Sequence, residues 1–300
     1  MVLDAQMQLR STSHPVILVT GASGHLGKQV AALLSERGAA LRLFVRDPSK
    51  APASVRAEVR TGDYGDRESL ERAFEGVETV FLVSASAPPG RRAELHAIAF
   101  AVAVRVGVRH VVYLSLQGSA PDSQYPFSRD HWESEERLRA SGIAHTVLRN
   151  GKYTEQLLEP EMIDADSVLR GPVGDGRIAW ISRSDSARVI AEILPRPPGG
   201  ILTYTGPETL TLAETAARLS VSLGRRIQCE EETPEAMRAR VIATAERTGA
   251  PPWRADLWAG AYRAIGAGEY APVHDAAAWI GRAERLEDTV ASGALRSLHR

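Results

Sequence analysis

Seven residues near the start of the chain, Gly21-Ala-Ser-Gly-His-Leu-Gly27, have the types and spacing to hold a dinucleotide. A tight turn between a strand and a helix needs one residue free of side-chain clash. Close approach of backbone to a pyrophosphate needs a second, and close helix–strand packing a third. The free amides of the following helix turn then face the phosphates. The spacing is G-x-x-G-x-x-G rather than G-x-G-x-x-G, and turns use glycine freely. The apolar run before the loop and the helical pattern after it make a phosphate-binding loop the better reading. Contacts are expected from Gly21, Ser23, Gly24, His25, Leu26 and Gly27.

Arg46 stands nineteen residues beyond Gly27, near the usual spacing of about 20 at which the ribose is read. An acidic residue there holds the ribose hydroxyls of NAD, whereas arginine grips the 2′-phosphate of NADP with parallel hydrogen bonds. NADP(H) is therefore the expected cofactor, with NAD(H) still open because Asp47 is adjacent. Asp63 and Tyr64 follow the third apolar segment, where a side chain flanks the adenine; Asp63 equally suits a turn cap. Ser84 opens a run of small residues that would let backbone approach the cofactor.

The elements that must position these residues alternate. Short apolar runs at 16–19, 41–45, 57–60, 79–83, 111–114 and 145–148 read as strands. Helical patterns at 26–37, 67–74, 91–106 and 128–140 connect them, and Gly38, Gly107 and Gly142 stop three of these helices. Six strands with crossover helices give a Rossmann fold, a doubly wound parallel α/β sheet with its ligand at the carboxyl ends of the strands. After Asn150 the pattern weakens, with a strand at 201–205 and helices at 184–194, 212–223, 234–248 and 255–265. The expected organisation is a flexible tail over 1–14, an NADP-binding domain over 15–150, and a smaller α/β substrate lobe over 151–300, interleaved with the core.

The 36 basic and 37 acidic residues nearly cancel and are interspersed, which argues against a nucleic-acid or polybasic membrane surface. No apolar run has the length of a signal or a membrane span, so a cytoplasmic location is expected. The lone Cys229 excludes an intrachain disulfide framework and a multi-cysteine metal site; it reads as a small packing residue, and no metal is expected.

The chain resembles the NmrA-like, atypical short-chain dehydrogenase/reductase proteins, and within them the NAD(P)H:quinone oxidoreductase type 2 group. The resemblance rests on the glycine loop, Phe44-Val-Arg-Asp-Pro48, Gly62-Asp-Tyr64, Gly107-Val-Arg-His-Val111, Asp130-His-Trp-Glu-Ser-Glu135 and Ser141-Gly-Ile-Ala-His-Thr-Val-Leu-Arg-Asn-Gly151. It implies a reductase passing hydride from NADPH to a quinone or similar small planar carbonyl compound. The family also includes non-catalytic redox sensors, and a tailoring enzyme acting on an aromatic polyketide quinone is a third expectation. A homodimer is compatible with the class.

The resemblance further implies that the Asn150-Gly-Lys-Tyr153 loop lines the substrate cleft, which makes Lys152 and Tyr153 catalytic candidates. The family pattern has an aromatic residue where this chain has Lys152, and Asn where it has Gln156. Members of the wider superfamily use a Tyr-x-x-x-Lys pair for proton transfer, but here the spacing is filled by Tyr125 and Arg129. Arginine cannot relay a proton, so the match reads as coincidence. Ser115 reads as a cofactor-loop residue, and His131 as the residue that polarises a carbonyl or donates a proton, unless it merely pairs with Glu135 one turn on. Trp253 and Trp258 read as core aromatics or as a lid over a planar substrate.

Overall fold

The computed structural model describes residues 15–299; the expected 1–14 tail lies outside them. The first strand, β1 (Ile17–Thr20), is buried along its whole length, as a strand covered on both faces must be. It runs into α1 (His25–Glu36), whose Leu26, Val30 and Leu34 share one face and are buried. The helix stops just before Gly38, whose φ of 76° takes the left-handed turn. The alternation continues through β2 (Leu41–Val45), β3 (Glu58–Thr61), α2 (Arg67–Phe74), β4 (Thr79–Leu82), α3 (Arg91–Arg105), β5 (His110–Leu116), α4 (Pro126–Ala140) and β6 (Ala144–Asn150). Asp66 caps α2 by accepting from the Glu68 and Ser69 amides.

The sheet has seven strands rather than the six expected. After β7 (Val168–Arg170) and β8 (Arg177–Ile178), α5 (Arg183–Ile193) leads into β9 (Gly200–Tyr204), which pairs in parallel with β6. The strand order is β3-β2-β1-β4-β5-β6-β9, parallel throughout. Helix α5 packs beside α1, so Val30 and Leu34 share a core with Ile190 and Leu194. The opposite face is covered by α2, α3 and α4 around Phe74, Phe100 and Leu138. Because β1 lies between β2 and β4, chain direction across the sheet reverses there, opening a crevice at the carboxyl ends.

The chain continues through β10 (Leu210–Thr211), α6 (Leu212–Leu223), β11 (Gln228–Glu230), α7 (Pro234–Thr248), α8 (Trp253–Gly266), α9 (Ala277–Ile280) and α10 (Leu286–Ala291). Helix α9 packs back on the α1 and α5 side of the sheet, and the others gather around a second core. Two small ladders, β10 with β8 and β11 with β7, tie this part together. The second core contains Leu169, Trp180, Leu219, Val241 and Tyr262. Trp258 belongs to that core, and Trp253 packs on Phe127 at 6.0 Å between ring centroids, so neither tryptophan stands as a lid. Cys229 is exposed on β11, all three of whose residues are exposed, and is not a packing residue. Among the described residues, no helix is long and apolar enough to cross a membrane, and no three His, Cys, Asp or Glu are grouped to hold a metal.

Candidate active site

The glycine loop fills the β1–α1 turn as its spacing requires. Gly21 has a φ of 59°, and a Cβ on Gly27 would lie 2.4 Å from the Gly21 carbonyl oxygen. Gly24 is the N-cap of α1, with no side-chain cap and no acidic residue in the first turn. The first amides of α1 are therefore left for an anion.

The groove beside this loop is lined by Gly21, Ser23, Gly24, Arg46, Asp63, Tyr64 and Ser84, among others. Of the residues expected there, His25 is exposed, and Leu26 and Gly27 are buried on the first turn of α1, and none of the three lines the groove. Tyr64 forms a wall, with its hydroxyl donating inward to the Val83 carbonyl (2.7 Å), which fixes the ring but gives it no role in chemistry. Asp63 accepts from the Gly65 amide (2.9 Å) while also lining the groove. Asp47 is engaged elsewhere. Its carboxylate accepts from the Ser49 amide (3.0 Å) and hydroxyl (2.7 Å), and these bonds hold its pKa below the usual range. Arg46 is thus the charged side chain presented where the ribose is read, which suits a 2′-phosphate.

A second cleft opens from the groove. Its walls are Ser84, Leu114, Leu116, Tyr125, Phe127, His131, Asn150, Gly151, Lys152, Tyr153 and Gln156, and its volume is about 130 Å³. Ser84 lines both cavities. A cavity of about 700 Å³ lies at the opposite, amino ends of β1, β4 and β5. It is remote from the glycine loop, and Arg37 and Arg109 on its walls are already paired with Glu192 and Glu78.

The three catalytic candidates, His131, Lys152 and Tyr153, all reach the cleft. The 152–153 backbone is pinned to the segment before α5: the Lys152 carbonyl accepts from the Ile181 amide (2.9 Å), and the Thr154 amide donates to the Ile181 carbonyl (2.8 Å). The Lys152 ammonium is 4.6 Å and 4.7 Å from the ring centroids of Tyr125 and Tyr270, a cation–π arrangement. Burial depresses its pKa from 10.5 to about 8. Among the described residues the Tyr153 hydroxyl is buried without a well-aligned hydrogen-bond partner, Ser186 being its neighbour, and burial pushes the phenol up to about 12.

His131 lies on α4 and is buried. Burial, with the Arg92 charge beside it, holds its pKa well below 6.5, so at neutral pH the ring is neutral and carries no proton to give. Its Nδ1 pairs with the Tyr113 hydroxyl at 2.8 Å. On the far side of Tyr113, His96 accepts the Ala85 amide on Nε2 (2.8 Å) and meets Ser134 through Nδ1 (2.9 Å). That assigns the His96 proton to Nδ1. Arg92 Nη2, which can only donate, lies 3.5 Å from His131 Nε2, so that nitrogen is the acceptor and the proton of His131 sits on Nδ1, toward the Tyr113 hydroxyl.

Two residues of this site escaped the sequence reading. Arg92 is buried, its guanidinium lies 3.8 Å above the Phe127 ring, and it donates to Ser84. His96 holds the backbone of the loop that carries Ser84. The Tyr125–Arg129 spacing makes no dyad, because Arg129 donates to the Ser123 carbonyl (2.6 Å). Ser115 is not on either cavity wall. It bonds to Glu135, which is held by Arg149 (Nε to Oε1, 2.9 Å) and does not pair with His131.

Fold and groove together define a dinucleotide-binding protein of the Rossmann class, with a second cleft that shares Ser84 with the groove. A family model described as NAD(P)H-binding matches residues 21–197, and the chain belongs to that family. It is 33% identical over 252 residues to quinone oxidoreductase 2 of Escherichia coli, covering 81% of this chain and 86% of that protein. It is likewise 33% identical to an NAD(P)H azoreductase of Xenophilus azovorans over 71% of this chain and 76% of that one. The crystal structure of the NADPH-dependent quinone oxidoreductase of Escherichia coli complexed with NADPH superposes with a TM-score of 0.82 at 29% identity, over 92% of this chain and 99% of that one.

Proposed function

We propose that the protein is an NADPH-dependent reductase of quinones or similar planar carbonyl compounds. The observation that carries this reading is Ser84, which stands on the wall of both the cofactor groove and the aromatic-lined cleft. Reaction between two bound molecules needs such a junction, because hydride transfer requires the partners in contact and correctly oriented. Bound NADPH supplies the hydride, and the acceptor becomes the hydroquinone on gaining that hydride and one proton.

The chain's own residues orient and exclude. Gly21, Ser23 and Gly24 hold the pyrophosphate, and Arg46 the 2′-phosphate. Tyr125, Phe127 and Tyr153 frame a flat ring and keep water from it. The Ser84 hydroxyl, held by Arg92, polarises the acceptor oxygen on which negative charge develops. A quinone accepts hydride readily, so no tyrosine–lysine acid is required, in keeping with the geometry at Tyr125 and Arg129. The later half of the chain closes the cleft through Lys152, Tyr153 and Gln156. The relatives that act on quinones and azo compounds support the same acceptor class.

The test is anaerobic loss of NADPH absorbance with a panel of benzoquinones and naphthoquinones. Quinone-dependent oxidation is expected. Tight cofactor binding with no turnover of any quinone would overturn the reading and leave a redox sensor in its place.

A further inference from the structure

Two cations are buried at the substrate cleft, Lys152 on its wall and Arg92 behind it. Lys152 is 4% exposed and Arg92 7%, and neither forms an ion pair among the described residues. Glu269 and Asp130 favour the charges on Lys152 and Arg92 from a distance, but they hydrogen-bond to neutral donors and to neither cation. Glu269 accepts from the Ser123 hydroxyl (2.5 Å) and the Gln124 amide (2.8 Å), and Asp130 accepts from the Gly90 amide (2.9 Å and 3.1 Å). Arg92 leaves Nε and Nη1 without partners. No Asp or Glu is among the residues that wall the cleft.

A buried ion without a counter-charge is costly, and such ions concentrate where a ligand supplies the missing charge. Lys152 is on the cleft wall itself, backed by the Tyr125 and Tyr270 rings, which leave the remaining N–H directions of the ammonium without a protein acceptor. Arg92 stands one layer behind, stacked on Phe127, and adds to the positive field without reaching the ligand.

We propose that the cleft selects an aromatic acceptor bearing an anionic substituent, such as a carboxylate or sulfonate, and that Lys152 is the residue that receives it. This rests on the reductase reading for the word acceptor, but the anion subsite is testable without turnover. The chemistry is a charge-assisted hydrogen bond from ammonium to anion, made in a cavity where water competes little. The class of reaction that supplies such a substrate is one that oxidises a carboxylated or sulfonated aromatic ring.

The experiment measures, by calorimetry, binding of 2-naphthoate and of the uncharged 2-naphthamide to the protein saturated with NADP⁺. Neither probe can be reduced. The expected result is that naphthoate binds at least about 10-fold tighter than the amide, the scale of one charged hydrogen bond. Lys152→Met should bring naphthoate down to the level of the amide, and Lys152→Arg should keep part of the preference. Equal affinity in the unaltered protein, no binding of naphthoate, or a preference that survives Lys152→Met would each overturn the proposal. NADPH oxidation by neutral 1,4-naphthoquinone separates the two ideas. Turnover without a charge preference removes the anion subsite alone, and a charge preference without turnover of any quinone removes the reductase reading alone.

Discussion

The cofactor groove and the substrate cleft meet at Ser84 but are made in opposite ways. The groove is made mostly of backbone. Its phosphate loop comes from seven consecutive residues, its walls from the ends of neighbouring strands, and Arg46 stands at its rim. The cleft is made of side chains delivered by separate elements: Phe127 and His131 on α4, Lys152 and Tyr153 after β6, Tyr270 after α8, and Arg92 from α3 behind them. The charged side chains at the groove are exposed, whereas two buried cations beside the cleft form no ion pair among the described residues. A backbone site tolerates almost any sequence around its glycines and serves one cofactor. A side-chain site can change its ligand with a single substitution, which is how one scaffold serves many acceptors.

The sharpest way to break this contrast is Gly27→Ala. The added Cβ would meet the Gly21 carbonyl oxygen at 2.4 Å, so the loop must open. We expect a loss of roughly 3 kcal/mol in NADPH binding, about 100-fold in Kd, with far-ultraviolet dichroism unchanged. Wild-type affinity would show that the groove does not depend on its backbone path.

Lys152→Met probes the cleft through stability. Burial lowers the pKa of the folded lysine to about 8 from 10.5. Between those values the unfolded chain binds the extra proton, so stability of the unaltered protein rises with pH through that window. The facing groups stay in one state there, since Tyr125 is pushed up to about 12 and Tyr270 well above 10. Below pH 8 the variant should therefore be more stable, on the order of 2–3 kcal/mol, with the gap closing toward pH 10.5. Urea melts at pH 7 and pH 10 check this. A variant less stable at pH 7 would mean that the ammonium already has a partner.

The smallest expected effect belongs to the rim of the groove. Arg46→Ala should weaken NADPH about 10-fold, as one charged contact is lost, and leave NADH unchanged. Equal loss for both cofactors would move the 2′-phosphate elsewhere.

The same contrast explains what was legible in the sequence. The phosphate loop could be read because strand, turn and helix are contiguous, and a Gly27 side chain is forbidden by its neighbours six residues back. Most strands of the sheet showed as continuous apolar runs. The cleft resisted because its members meet only after folding. Arg92 reads as half of an exposed Arg91-Arg92 pair, but α3 buries Arg92, His96, Ala99, Phe100 and Ala103. That is the i, i+4, i+7 face, and extending its apolar stripe toward the N-terminus would have placed both polar residues inside. Tyr270 follows the end of α8, where no periodicity singled it out. Strand β9 was visible as a strand, but pairing partners are a matter of topology, and its place beside β6 had no local sign. Cys229 misled because cysteine's tendency to be buried is a statistical preference, and it falls on a three-residue strand that is exposed throughout.

The pairing of α1 with α5 bears on how the molecule is made. Val30 and Leu34, on the helix that carries the phosphate loop, are covered by Ile190 and Leu194, and Arg37 reaches the Ala191 carbonyl at 2.9 Å. During synthesis from the amino terminus, the first helix emerges long before its cover. Its apolar face must wait for roughly 150 more residues, a long-range contact of the kind that slows folding and exposes intermediates to aggregation. A nascent chain cut after β6 would hold every residue of the phosphate loop and still lack the surface against which α1 is set. Competence to take up the dinucleotide should accordingly arrive late in translation, once α5 has left the ribosome.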